Sequence, residues 1–169
     1  MDAAIVAAGS AGTYGDFAIT ATGTWTYVLR NADANVQALT SAQHPTESFV
    51  VSTADGTTQT ITVTVNGANE APVGVISPAS GLEDAVGIPI TLSASDVDGS
   101  VASFTVTTLP ANGVLLFGGV PVLAGTAIPA TAGSAALSFV PNADWNGSTS
   151  LVFSATDAEG ANSPAVTQG

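Results

Sequence analysis

Apolar and polar residues alternate with a period of two along most of this chain. In residues 60–65, Ile61, Val63 and Val65 fall on one face and Thr60, Thr62 and Thr64 on the other, the pattern of a strand buried on one side. Residues 16–21 and 24–30 alternate in the same way around Thr22-Gly23 and predict a hairpin, with Trp25, Tyr27 and Leu29 on one face, and Trp25 and Tyr27 are assigned to the core. A second hairpin is expected from 47–51 and 58–65 across Ala54-Asp55-Gly56-Thr57, where Asp-Gly is a turn signal in its own right. Between the hairpins, 31–42 reads as a turn and a short helical link closed by His44-Pro45.

Beyond residue 70 the alternation starts afresh. Strands are expected over 88–94, with Ile88, Ile90, Leu92 and Ala94 inward, then over 101–108. Residues 114–117 and 120–123 flank Gly118-Gly119, 135–140 and 151–155 follow, and 164–169 holds a last strand. Short strands broken by turn signals roughly every 8–12 residues, with no helical period, predict β-sandwiches. The stretch Asn66-Gly-Ala-Asn69-Glu70-Ala-Pro72 separates the two series as a short joint. The fold class expected is therefore all-β: two tandem sandwich domains over residues 1–70 and 71–169.

Charge narrows the function. Arg30 is the only basic residue besides His44, against thirteen carboxylates, for a net charge of −12. Such a chain cannot neutralise phosphates, which excludes nucleic acid as a partner, and an anionic membrane surface repels it. No apolar run approaches the ~18 residues that span a bilayer. The N-terminus lacks a charged n-region, so no cleavable signal peptide is expected and the chain reads as a piece of a longer polypeptide. Zero cysteines remove disulfides and thiolate metal sites. With His44 in a loop before proline, no Cys, no Lys and no nucleophile-elbow motif, only carboxylate pairs are left for catalysis, and the chain is not expected to be an enzyme.

Loop parity brings the acids together. If successive strands of the second sandwich run in opposite directions, its loops alternate between two ends. Asn69 and Glu70 of the joint, Asp96 and Asp98 of Asp96-Val-Asp98-Gly99, and Asp157 and Glu159 of Asp157-Ala-Glu159-Gly160 then share one end. Glu83, Asp84 and Asp144 map to the other and would begin a second site. Each loop alone is a good turn. Together, with no Lys to relieve the repulsion, they predict a hard divalent cation, Ca2+, which takes six to eight oxygens. The EF-hand's twelve-residue pattern is missing. Calcium bridging sugar hydroxyls is the competing use of the same acids, in a glycan- or protein-binding module. Trp145 beside Asp144 is the one aromatic placed to help, and it is assigned to plugging the core.

Motifs along both halves resemble known families. Gly12-Thr-Tyr-Gly-Asp-Phe17, Gly23-Thr-Trp-Thr-Tyr27, Val36-Gln-Ala-Leu39 and Val65-Asn-Gly-Ala-Asn-Glu-Ala-Pro-Val73 resemble the VCBS repeat of large repeats-in-toxin (RTX) adhesins. Leu82-Glu-Asp84, Ala94-Ser-Asp-Val-Asp-Gly99, Leu109-Pro-Ala-Asn-Gly113, Phe139-Val-Pro-Asn-Ala-Asp-Trp-Asn-Gly147 and Ala155-Thr-Asp-Ala-Glu-Gly160 resemble the bacterial cadherin-like extender domain. The resemblance implies tandem Ig-like sandwiches, neighbouring domains of the same polypeptide as partners, and calcium at the joints. It further implies type I secretion to the bacterial cell surface and a role in adhesion or biofilm formation. The joint departs from the family in carrying Asn-Glu for Asn-Asp. The VCBS-like part also starts late, lacking an opening strand or two unless residues 2–8 replace them.

Overall fold

The computed structural model describes residues 8–169. The chain divides into two compact units, Met1–Asn69 and Glu70–Gly169, each built of antiparallel strands.

In the first unit β1 (Ala8–Ala11), β2 (Gly15–Ile19) and β3 (Trp25–Leu29) form one sheet in that order. After a single helical turn, α1 (Ala34–Gln37), strands β4 (Thr46–Ser52) and β5 (Thr58–Thr64) form a hairpin. The turns follow the glycines: Gly23 and Gly56 sit at φ 86° and 88°, a region that costs a residue with Cβ. Alternation in β2 and β4 points Phe17 and Ile19 at Phe49 and Val51. Phe17 and Phe49 stack with ring centroids 4.6 Å apart. Asp55 does turn chemistry, its Oδ1 accepting from the Thr57 N–H at 3.0 Å.

Two expectations for this unit change. Trp25 is not core: it is 46% exposed, with its ring against Phe17 at 6.1 Å. It lies on β3, the sheet's edge, where the opposing layer covers Tyr27 only in part. The chain also supplies a strand ahead of the first hairpin, since β1 pairs with β2 from Ala8↔Ile19 to Ala11↔Asp16. Of the stretch 2–8, only Ala8 lies within the described residues.

The second unit is a sandwich of two sheets. One holds β6 (Val73–Val75), β7 (Ile88–Ser95), β9 (Gly113–Phe117), β10 (Val120–Pro121) and β12 (Ser134–Pro141), in the order β10-β9-β12-β7-β6. The other holds β8 (Val101–Thr108), β11 (Ala127–Pro129), β13 (Leu151–Asp157) and β14 (Val166–Gln168), in the order β11-β8-β13-β14. The three-residue β11, which runs into a proline, has no counterpart in the sequence pattern; its pairing with β8 across more than twenty residues makes it a strand. The inner faces meet over Leu92, Phe104, Val106, Phe153 and Ala155, all fully buried. Phe104 and Phe153 pack edge to face at 5.8 Å, an arrangement that suits their ring quadrupoles.

Candidate functional site

Period-two geometry carries two carboxylates to one end of this core. In β13, Leu151, Phe153, Ala155 and Asp157 all point inward, and Asp157 ends the row at 3% exposure. In β7, Leu92 and Ala94 face inward and Asp96 is next in the same row, just past the strand's end. A register shift between Thr156 and Asp157 marks a bulge where β13 meets Val101 of β8, and bulges of this kind re-aim a side chain. The Ala158 N–H then donates to the Ser100 carbonyl at 3.0 Å, fastening the two acidic loops together.

Glu70 completes the group. Its backbone N–H reaches Asp98 Oδ2 at 3.4 Å, and it opens the second unit. Glu70 Oε2, both Asp96 carboxylate oxygens and Asp98 Oδ1 are buried and meet no hydrogen-bond donor among the described residues. Gly99 lies close against the Asp96 carboxylate, since a Cβ there would stand 3.2 Å from Asp96 Oδ2. Burial, then the charge of Asp98, raises the pKa of Glu70 above its ordinary value. Burial, then the neighbouring Asp98 carboxylate, with the charge of Asp157 adding to it, does the same for Asp96. Mutual repulsion of this kind is what a cation removes.

Asp157 also organises its own loop. Its Oδ1 accepts from the backbone N–H groups of Glu159, Gly160 and Ala161 at 2.9, 2.6 and 2.8 Å. One oxygen of that carboxylate thus ties up its own loop. Glu159 is exposed and serves the loop through that N–H. Asn69, half-buried, closes the first unit. No group of three or more His, Cys, Asp or Glu among the described residues stands in an arrangement that could hold a metal ion as it is.

At the opposite end Asp84 and Asp144 do meet, the Asp144 N–H donating to Asp84 Oδ1 at 3.0 Å. Both have left-handed backbones, φ 59° and 61°, and both are exposed, as is Glu83. They brace two turns against each other. Trp145 beside them packs edge to face on Phe139 at 6.3 Å. Gly147 covers one face of its indole, with a Cβ position 3.3 Å from Cζ2. The half-buried ring packs against the end of the core.

Glu47 of the first unit was legible only as part of a strand. It shares the inward face of β4 with Phe49 and Val51. Glu47 is 9% exposed, and its carboxylate accepts from Thr13 N–H, from Tyr14 N–H at 3.2 Å, and from the Tyr27 hydroxyl. A charge in an apolar register was the signal. Burial opposes its ionised form, yet the Tyr27 hydroxyl, the two N–H groups and nearby Arg30 outweigh that and hold its pKa below the ordinary 4.5.

Two antiparallel sheets packed face to face, with acid-rich loops at one end and no helix beyond a single turn among the described residues, define an immunoglobulin-like β-sandwich. The chain belongs to the bacterial Ig domain family, whose model matches residues 69–168. No curated protein matches it. The family is typically non-catalytic.

Proposed function

We propose that this chain is an extender module of a secreted bacterial surface adhesin, stiffened by calcium at the joint between its units. The observation that carries the reading is the set of buried, unspent carboxylate oxygens on Glu70, Asp96 and Asp98, beside Asp157. Leaving such groups buried and unpaired is costly, and a chain with no Lys and a single Arg has almost no internal means of relieving it. The donor set is all hard oxygen, which suits Ca2+ and not the softer transition metals. Calcium's flexible coordination also tolerates side chains that must draw together around it. Glu70, Asp96 and Asp98 would hold the ion, and Asp157 would keep the second loop in place. The ion would supply charge neutralisation and nothing else.

Glu70 directly follows the last residue of the first unit, so fixing it restrains the chain at the joint. The remaining elements of the proposal rest on the VCBS-like and cadherin-like motifs. They are type I secretion, an extracellular place on the cell surface, neighbouring tandem domains as partners, and a contribution to adhesion or biofilm formation. Low cytosolic calcium would leave the acids repelling and the module loose for export, and extracellular calcium would stabilise it by mass action. Melting in EDTA and in millimolar calcium tests the core of this. Saturation about 100-fold above Kd contributes about 2.7 kcal/mol, roughly 10–20 °C for a unit of about 100 residues. An unchanged transition refutes it.

A further inference from the structure

The chain contains three Asn-Gly pairs, Asn66-Gly67, Asn112-Gly113 and Asn146-Gly147. An asparagine followed by glycine loses its side-chain amide without an enzyme. The glycine nitrogen attacks the asparagine Cγ, ammonia leaves, and water opens the resulting succinimide. Ring closure needs the peptide unit between the two residues to turn. Whatever pins that unit, or packs against the glycine, slows the reaction.

The fold pins two of the three pairs. Gly67 donates its N–H to the Gln43 carbonyl at 3.0 Å, and a Cβ there would stand 2.2 Å from the Thr40 carbonyl oxygen. The Asn112 carbonyl accepts from the Asn142 N–H at 2.9 Å, and Gly113 opens β9 with a Cβ position 2.4 Å from the Phe139 ring. In the third pair neither the Asn146 carbonyl nor the Gly147 N–H meets a hydrogen-bond partner among the described residues, and both residues are exposed. Packing itself asks for glycine after Asn146. Gly147 has φ 153° and a Cβ position 3.3 Å from the Trp145 indole, so a bulkier residue, which would hinder the attack, is disfavoured there.

We propose that Asn146 is a site of spontaneous deamidation, selected from the three pairs by the fold. The Gly147 nitrogen bonds to Asn146 Cγ, the Cγ–Nδ2 bond breaks, and the proton displaced from Gly147 ends on the departing ammonia. Water then cleaves one of the two imide C–N bonds. Cleavage at Cγ leaves aspartate; cleavage at the backbone carbonyl leaves isoaspartate, which lengthens the main chain by one methylene beside Trp145. Either product adds a negative charge to a chain already at −12, on the turn that Asp84 braces through Asp144. The inference involves none of the residues assigned to calcium.

Ageing the full chain in mildly alkaline buffer, followed by peptide mapping, compares the three sites directly, and isoaspartyl methyltransferase labelling counts isoaspartate. In the folded chain Asn146 is expected to react at least about tenfold faster than Asn66 or Asn112, whose reaction waits on local opening. In denaturant the three rates converge, since each pair is then an unstructured Asn-Gly. Asn146→Gln, at an exposed position, removes the folded-state product and leaves the melting temperature in place, because glutamine must close a larger ring. The proposal is overturned if Asn146 stays intact in the folded chain, if Asn66 or Asn112 reacts as fast there, or if the ratio among the three sites is the same folded and denatured.

Discussion

Replacing Asp96 by Asn separates the electrostatic cost of the acid cluster from its structural role. Both Asp96 oxygens are buried without a donor, and burial together with Asp98 and Asp157 disfavours their charge. Asn keeps the shape, removes the charge, and its Nδ2 can donate to the Asp98 carboxylate. Relief of an unpaired buried group is worth about 1–3 kcal/mol. Partial exposure of the Asp96 loop places this case near 1 kcal/mol, about 4–8 °C for a unit of this size. In EDTA, therefore, Asp96→Asn melts above the parent. In calcium the sign reverses. An ion present at about 100 times its Kd contributes about 2.7 kcal/mol, and a roughly 100-fold weaker site retains only about 0.4 kcal/mol of that. The loss of about 2 kcal/mol exceeds the relief, and the variant melts several degrees below the parent. Differential scanning calorimetry of both proteins in both buffers reads all four values. A variant destabilised equally with and without calcium would mean that Asp96 is a structural residue and that the site is misassigned.

Two further outcomes test the cores. Glu47→Gln removes charge-assisted hydrogen bonds worth about 2 kcal/mol in total, so the first unit unfolds at lower denaturant. Because the folded-state pKa of Glu47 lies below the ordinary 4.5, its contribution is full above that value and is lost as pH falls through the folded pKa. The parent's denaturation midpoint should fall below about pH 4.5 and that of Glu47→Gln much less; parallel profiles would count against this assignment. Phe153→Ala, at a site of zero exposure between the sheets, should cost about 3–5 kcal/mol and lower the second unit's melting temperature by roughly 15 °C or more. A loss under 1 kcal/mol would be incompatible with the packing described.

Strand positions were legible because period-two alternation is a local property. Residues 101–108 form β8 over the expected span, and the other main strands of the second unit agree to within a residue or two. The meeting of Glu70, Asp96, Asp98 and Asp157 was legible for a related reason, since antiparallel strands joined in sequence send alternate loops to opposite ends. Spacing could not say what each carboxylate does there. Asp157 and Asp96 look equivalent in the chain, each followed two residues later by an acid and then a glycine. Only the fold gives Asp157 three backbone N–H donors and leaves Asp96 with none.

Depth and pairing were likewise beyond the pattern. Alternation put Trp25 on the same face as Tyr27, but whether that face is covered depends on a second sheet contributed by distant residues, and at the edge strand it is not. Glu47 read as one polar residue beginning a strand, and its partners at Thr13, Tyr14 and Tyr27 come from at least twenty residues away. By itself the sequence determined a two-part all-β chain with its acids gathered at loop ends, because face and turn are set by neighbours along the chain. The tertiary structure decided which acids are satisfied and which remain buried at a cost, because hydrogen-bond partners and burial are set by residues that only folding brings together.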